Sequence, residues 1–580
     1  MPTSLCMPTL VLPLAVLLLG CAGRGRAGEE VATGKTPTAC STEDSLHQRD
    51  QNQLPAVSPA ALAAHLNILA HDTLEGRGTG TRGYEIAARY VASCFAAFDL
   101  QPAGTQGHRQ PVPLRRARAV EGTALVLDGP GGHRELTLER DYLPLPDYLR
   151  PRVEVAAPLV LAGFGVTAPA RAYDDYRNLD ARGKIVVLLY GAPASFPPTE
   201  RAHYASWRLK YENAVRHGAV GALIVRTRDQ TFPWDRLVRQ MRAGGMRWLE
   251  PSGQPRDVFP ELRGSAVLSD MGAEALFEGA PRSLAEVLAA GETGTPPAFD
   301  LPTRATIRTA STHERLESPN IAGLLRGSDP RLRDEVVVFT AHLDHLGIGE
   351  PVQGDSIYNG ALDNASGSAA LVEVARAFSR LPQSPRRSVL FLAVTGEEMG
   401  LLGSDYFAEY PTVPRERIVA NINLDGLSIL YPLRQMVPLG AEHSTLDASV
   451  KSAAQRMGIE LAPDPFPQEV FFIRSDQYSF VRRGVPSLFL FMGLQSDSGV
   501  DAPARFREWL ANRYHTPQDD LSQPMDLEAG ARHAQLAVLV GLEVANGSAR
   551  PTWKPGDFFG RTFRRGQTKD AEARGNSVAP

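Results

Sequence analysis

Three short apolar runs in this chain end in the same way. Val336-Val337-Val338-Phe339-Thr340 leads into Ala341-His342-Leu343-Asp344-His345, Val389 to Val394 leads into Thr395-Gly396-Glu397-Glu398, and Ile418 to Leu424 leads into Asp425-Gly426. Each has the length and β-branched content of a strand buried on both faces, the pattern of sheets covered by helices. Open sheets of that kind hold their ligands beyond the carboxyl ends of the strands. A chain that repeatedly sets His, Asp and Glu there is constrained to an α/β fold with a polar centre at one sheet edge. Neighbouring residues of an extended chain point to opposite sides, so Glu397 and Glu398 are expected to do different work.

Two further segments join this set. Asn359 to Gly367 contains Asp363-Asn364 and precedes a helical pattern of Leu371, Val374, Ala375 and Phe378, and Tyr514-His515-Thr516 follows far downstream. Imidazole and carboxylate donors brought by loops, with no Cys among them, are the ligand chemistry of zinc. Singly, each has an ordinary explanation: His342 as a core histidine, Asp363 as a helix cap, Asp425 as a turn residue, the Glu pair as a solvated surface. Their joint arrival after buried strands is not explained that way.

The motifs His342-x-Asp344, Asp363 to Gly367, Gly396-Glu397-Glu398, Asn423-Leu424-Asp425 and Tyr514-His515-Thr516 resemble the di-zinc peptidases of family M28. That family includes secreted bacterial aminopeptidases, aminopeptidase Y and the glutamate carboxypeptidase group. The resemblance implies a mixed central sheet sandwiched by helices, the zinc-peptidase phosphorylase/hydrolase-like fold, and two zinc ions per chain. It implies His342 and Asp425 at one zinc, Glu398 and His515 at the other, and Asp363 bridging both beside a cis peptide to Asn364. Glu397 would be the general base, and Asp344 the carboxylate that orients His342. The segment Phe471 to Tyr478 resembles one that lines the family's substrate pocket, which implies substrate-binding roles for Arg474, Asp476 and Tyr478; Gln477 stands where the family usually has His. His345 and Asp519 match no ligand position and read as structural. The implied activity is zinc-dependent exopeptidase, foremost an aminopeptidase removing N-terminal residues from peptides. A glutamate-carboxypeptidase-like or glutaminyl-cyclase-like enzyme is the alternative. A non-enzymatic binding protein is disfavoured, because the ligand set is complete.

The 580 residues carry a net charge of −4 with no basic block, which argues against a nucleic-acid partner. Leu10 to Gly20 reads as the apolar core of an export signal, too short to span a bilayer. It ends in Leu18-Leu19-Gly20-Cys21, resembling a bacterial lipobox with Cys21 as the lipidated residue, although Met1 to Thr9 has no Lys or Arg. Ala22 after it points to the outer membrane. The expectation is an exported lipoprotein of the bacterial cell envelope, touching membrane only through its lipid; a soluble periplasmic or secreted protein is the alternative.

Along the chain we expect a signal peptide at 1–21, a tether at 22–53, the N-terminal part of the peptidase domain at 54–152 and an insertion at 153–300. The catalytic domain follows at 301–550 and a tail at 551–580. Short β runs such as Gly183 to Gly191 and Gly221 to Val225 make the insertion resemble a mainly-β protease-associated domain, which implies no chemistry of its own. The glycine-rich stretch Asp72 to Tyr84 lacks the Lys and preceding strand of a P-loop; it reads as a structural turn or an approach to the rim of the site. Cys94, on one helical stripe with Ala87, Val91, Phe95 and Phe98, reads as a buried free thiol, with a bridge to Cys40 in an exported protein as the alternative that no local pattern supports. Trp553 and Phe558-Phe559 are expected to pack the tail on the body. The oligomeric state is not legible.

Overall fold

The computed structural model describes residue 40 and residues 55–228, 232–496 and 499–563. The expected leader with Cys21, the 22–53 tether apart from Cys40, and the chain beyond 563 lie outside the described residues. The fold is α/β, with a large mixed sheet and covering helices.

Strand Val336–His342 runs parallel to both Ser388–Val394 and Ile418–Asn423, with His342 opposite Val394 and Thr340 opposite Asn423. Ser487–Met492 extends the parallel set beside Ile418–Asn423, and Gln435–Leu439 closes that side antiparallel. Every residue of the three central strands is buried, as their aliphatic runs require. The two-residue alternation divides them between two cores. Val337, Phe339, Val389 and Phe391 pack with Leu371 and Phe378 of helix Gly367–Ser379, whereas Val336, Val338, Leu390 and Leu392 pack with Phe407 and Phe480.

A 28-residue strand, Ala298–Leu325, ties this sheet to a second group of strands. Its first part pairs antiparallel with Arg152–Ala162, which is followed in parallel by Ile185–Leu189, Gly221–Val225 and Ser265–Leu268. From Ser311 the same strand pairs with Arg109–Ala119, and its end joins Ser388–Val394. Segments on either side of residue 153 interleave. Ala124–Gly129 and Tyr142–Pro144 pair with the second group, while Gly245–Trp248 pairs with Arg109–Ala119. Trp248 is fully buried there, and its Nε1 donates to Asp405 at 2.9 Å.

Cys94 is buried as expected, but it is not a free thiol: it is disulfide-bonded to Cys40, with Cα atoms 5.3 Å apart. A partner 54 residues upstream leaves no local trace in the helical stripe. Among the described residues no helix is long and apolar enough to cross a membrane.

The tail packs as expected. Trp553 Nε1 donates to the Gly484 carbonyl at 2.9 Å, and Phe559 is fully buried 5.1 Å from the Phe472 ring. His443 binds this tail through Nδ1, 2.6 Å from Asp557, while Nε2 lies 3.1 Å from Thr199 and 3.3 Å from Glu442. Burial disfavours the imidazolium, but the Asp557 and Glu442 carboxylates outweigh it and push the His443 pKa up to about 9. An imidazole near pKa 6.5 when unfolded and raised in the folded chain contributes stability that is full below its unfolded pKa and lost as pH rises through the folded one. The melting-temperature difference between wild type and His443→Gln should therefore shrink as pH rises from about 6.5 to above about 9. A difference constant over that window would show that His443 is uncharged in the folded chain.

Candidate metal centre

The carboxyl ends of the parallel strands converge on one spot. His342 closes its strand, Glu397 and Glu398 follow Val394 after the turn at Thr395-Gly396, and Asp425 follows Asn423 by two residues. Asp363 lies in the turn Ala361–Ser366 that opens helix Gly367–Ser379, and its peptide bond to Asn364 is cis. The chain enters this turn through Gly360, at φ +56°, where a Cβ would stand 2.1 Å from the Asp363 carbonyl oxygen. Only glycine fits there. His515 arrives after helix Ala502–Asn512.

Asp363 divides its two oxygens between two histidines. Oδ1 lies 3.3 Å from His342 Nε2, which is also 3.1 Å from Asp425 Oδ1. Oδ2 lies 3.2 Å from His515 Nε2, which is also 3.1 Å from Glu398 Oε2. The result is two His–carboxylate pairs joined by one shared carboxylate. Donor atoms of His342, Asp363 and Glu398 fall within 4.8 Å of one another. His515 Nε2 is buried, yet despite those short distances it makes no hydrogen bond with either oxygen. A nitrogen and oxygens that crowd together without bonding fit donors directed at a common cation, and imidazole with carboxylate suits zinc. All five expected ligands are thus brought together.

Glu397 lines the neighbouring cleft rather than joining the pairs. Burial raises its pKa well above the usual carboxylate range; His342 opposes, while Asp425, Glu398 and Asp476 add to the rise. Glu398 also loses hydration, but His515 and His345 outweigh that and bring its pKa down to about 2. The two adjacent carboxyls are driven apart in acidity, as different tasks require.

A surrounding layer holds the ligands. Asp344 departs from its expected role. His342 Nδ1 meets the backbone carbonyl of Asp344 at 3.1 Å, whereas the Asp344 carboxylate accepts from the Glu397 N–H at 3.1 Å and the Thr79 hydroxyl at 3.0 Å. The side chain therefore places the general-base candidate, and only the backbone orients the histidine. His345 and Asp519 are structural, as expected, and specifically so. His345 Nδ1 is 2.6 Å from Glu398 Oε1, and Asp519 accepts from the N–H groups of Leu362 and Asp363, both at 3.0 Å. Arg77, from the glycine-rich stretch, is fully buried and donates to the carbonyls of Leu343, Asn359 and Gly360. Nothing in its local sequence distinguishes this arginine from a surface one.

Of the expected substrate contacts only Arg474 lines the cleft, together with Phe471, Phe491, Met492, Phe506, Trp509 and Tyr514 in a space of about 590 Å³ open to solvent. Asp476 is fully buried outside that lining, and the Tyr478 hydroxyl lies 2.6 Å from His203 Nδ1. Neither side chain lines the cleft: both Asp476 oxygens are buried without a hydrogen-bond partner among the described residues, whereas Tyr478 holds the loop against His203. Gln477 does the same, accepting from Asn423 and donating to the Phe472 carbonyl.

Residues 320–540 match the model of Peptidase family M28. The chain is 27% identical over 325 residues to Aminopeptidase NAALADL1 of Mus musculus, covering 48% of this chain and 40% of that protein. It is 25% identical over 208 residues to Aminopeptidase YwaD of Bacillus subtilis (strain 168), covering 35% and 40%. Both matches span less than half of the relative's length. The solved structure of an aminopeptidase from Aneurinibacillus sp. strain AM-1 aligns with a TM-score of 0.52 at 19% identity, over 87% of this chain and 97% of that one, a likeness of fold.

Asp519→Ala would strand the two buried N–H groups that hold Asp363. At about 1–3 kcal/mol for each unsatisfied donor, unfolding by denaturant should show a loss of about 2–6 kcal/mol. A loss below about 1 kcal/mol would mean that the turn does not depend on Asp519.

Proposed function

We propose that the protein, whose residues 320–540 match the model of Peptidase family M28, is a zinc-dependent exopeptidase, foremost an aminopeptidase. The observation that carries this reading is the Asp363 carboxylate shared between two His–carboxylate pairs, with Glu397 outside the pairs and facing the cleft. In this reading His342 and Asp425 would hold one zinc, His515 and Glu398 a second, and Asp363 would contribute to both. Bound there, zinc would supply Lewis-acid polarisation of the scissile carbonyl and a more acidic water. A Glu397 carboxylate oxygen takes a proton from the attacking water and returns it to the nitrogen of the leaving amine. Asp344 sets the position of Glu397 by accepting its backbone N–H. Water plus one peptide bond then becomes one carboxylate and one amine.

The matched relatives named aminopeptidases support that choice of end. The aromatic and aliphatic wall of the cleft suits a large apolar side chain next to the scissile bond. Arg474 in the same cleft favours, as a second reading, a carboxypeptidase that holds a substrate carboxylate. Residues 153–300 are read as an inserted protease-associated domain. Export to the cell envelope with lipid on Cys21 remains our reading of the leader, and the Cys40–Cys94 disulfide is in keeping with an oxidising compartment.

Purified protein should contain about two zinc ions per chain by elemental analysis and lose peptide hydrolysis to a chelator. Glu397→Gln should retain the metal while kcat falls about 10²–10⁴-fold, and Glu398→Ala should lose metal. Equal metal loss in the two variants would reverse their roles, and protein without zinc would remove the basis of the reading. A panel of aminoacyl and N-blocked peptide substrates decides between the two ends.

A further inference from the structure

A second cavity shares none of the lining of the cleft beside Glu397. Its wall is built from loop residues 145–150, strand Gly245–Trp248, residues 257–265 and Thr309 of the long strand Ala298–Leu325. The space is about 690 Å³ and open to solvent, within the range of small-molecule sites. Leu145, Leu149, Val153, Val258, Phe259 and Leu262 supply its apolar surface.

The polar groups of the same wall are short of partners. Thr309 is 2% exposed, and its hydroxyl makes no hydrogen bond. The Tyr211 hydroxyl, from helix Trp207–Arg216, is buried and equally unbonded. Burial pushes its pKa up to about 12 against the pull of Ser265 and Arg247, so it keeps its proton. Arg247 stands 4.7 Å over the Tyr148 ring and donates from Nη1 to the Met246 carbonyl at 2.8 Å, but its buried Nε bonds to nothing. Among the described residues Arg247 forms no ion pair.

The two carboxylates of the wall are engaged elsewhere. Asp147 is held by Arg150 at 2.7 Å and by the N–H groups of Leu149 and Arg150. Asp257 faces Arg208 at 3.0 Å and Arg256 at 3.7 Å. The cavity is thus left with a guanidinium and two hydroxyls that have donors to spare. Buried donors without acceptors are unfavourable, and a ligand that accepts from them offsets the cost. A carboxylate offers only acceptors and matches the guanidinium fork.

We propose that this cavity binds a small organic acid, a carboxylate on a short branched or aromatic body, with Arg247, Tyr211 and Thr309 as its polar contacts. The inference does not depend on the exopeptidase reading. A free acid and the C-terminal residue of a peptide offer the same chemistry.

The test is calorimetric titration of the zinc-loaded protein with isovalerate, phenylacetate and N-acetyl-leucine, each beside its amide. At least one acid should bind about tenfold or more tighter than its amide. A free acid as the tightest ligand identifies that source, and N-acetyl-leucine identifies a chain end. The preference should persist after a chelator has removed the zinc. It should fall towards one in Arg247→Gln, and Thr309→Val should weaken the acid. Absence of acid binding, or equal binding of acids and amides, overturns the proposal. Binding that vanishes with the zinc, or a preference that survives in Arg247→Gln, does so too by placing the acid at another site. If Arg247→Gln does not fold, the zinc-free wild type and Thr309→Val decide the matter.

Discussion

The centre depends on one carboxylate facing two ways. Asp363 can present Oδ1 to His342 and Oδ2 to His515 only if its backbone is held against the repulsion of Asp425, Glu397 and Glu398 crowded beside it. Three devices supply that hold. Asp519 fixes the N–H groups of Leu362 and Asp363, Gly360 admits the chain at a positive φ, and Arg77 clamps the carbonyls just before the turn. Arg77 is also the permanent cation of the acid cluster. Burial lowers its pKa to about 10 while Asp344, Asp519, Asp363 and Glu398 oppose the drop. Its charge is thus held in place by the same carboxylates whose repulsion it relieves.

The scaffold turns sheet register into ligand spacing. Because Val336–His342 is paired on both sides in parallel, His342 sits level with Val394 and near the end of Ile418–Asn423, so three loops open at one height. Phe339, stacked on Phe391 at 5.7 Å and packed on Phe378 at 5.7 Å, locks that register from one face, and Phe407 with Phe480 does so from the other. A slip of one residue would turn each strand's inner set outward. The long strand Ala298–Leu325 carries the same rigidity into the second group, which is how a helix of the 153–300 segment comes to border the cleft.

Much of this was legible in the sequence, and what was not follows a physical line. His342, Glu398 and Asp425 could be read because each follows a buried β-branched run, and burial leaves a compositional mark, whereas Asp363 and His515, which follow no such strand, were reached through the family motifs. Contacts that pass through backbone leave none. The oxygen that meets His342 belongs to the Asp344 peptide, and no side-chain pattern separates that from a contact with the Asp344 carboxylate. Asp476 and Tyr478 share a segment with Arg474, but Arg474 ends the 3-10 turn Phe471–Ile473 while Asp476 and Tyr478 belong to the start of helix Gln477–Val481, and of the three only Arg474 lines the cleft. The Cys40–Cys94 bond and the approach of Arg236 to Tyr514 are long-range events, fixed by tertiary packing rather than by any local period.

The cleft joins opposite charges. Glu397 stands beside Asp363 and Asp425, which imidazoles hold, and Arg474, in the same lining, donates to the Tyr514 hydroxyl. The rest of the lining is largely aromatic and aliphatic, so the walls themselves offer few polar partners to compete for these charges. Two zinc ions held among those carboxylates would cancel most of their charge, so the acid cluster would not by itself align a peptide; that would fall to the apolar wall and the Arg474 guanidinium, which share the cleft with Glu397.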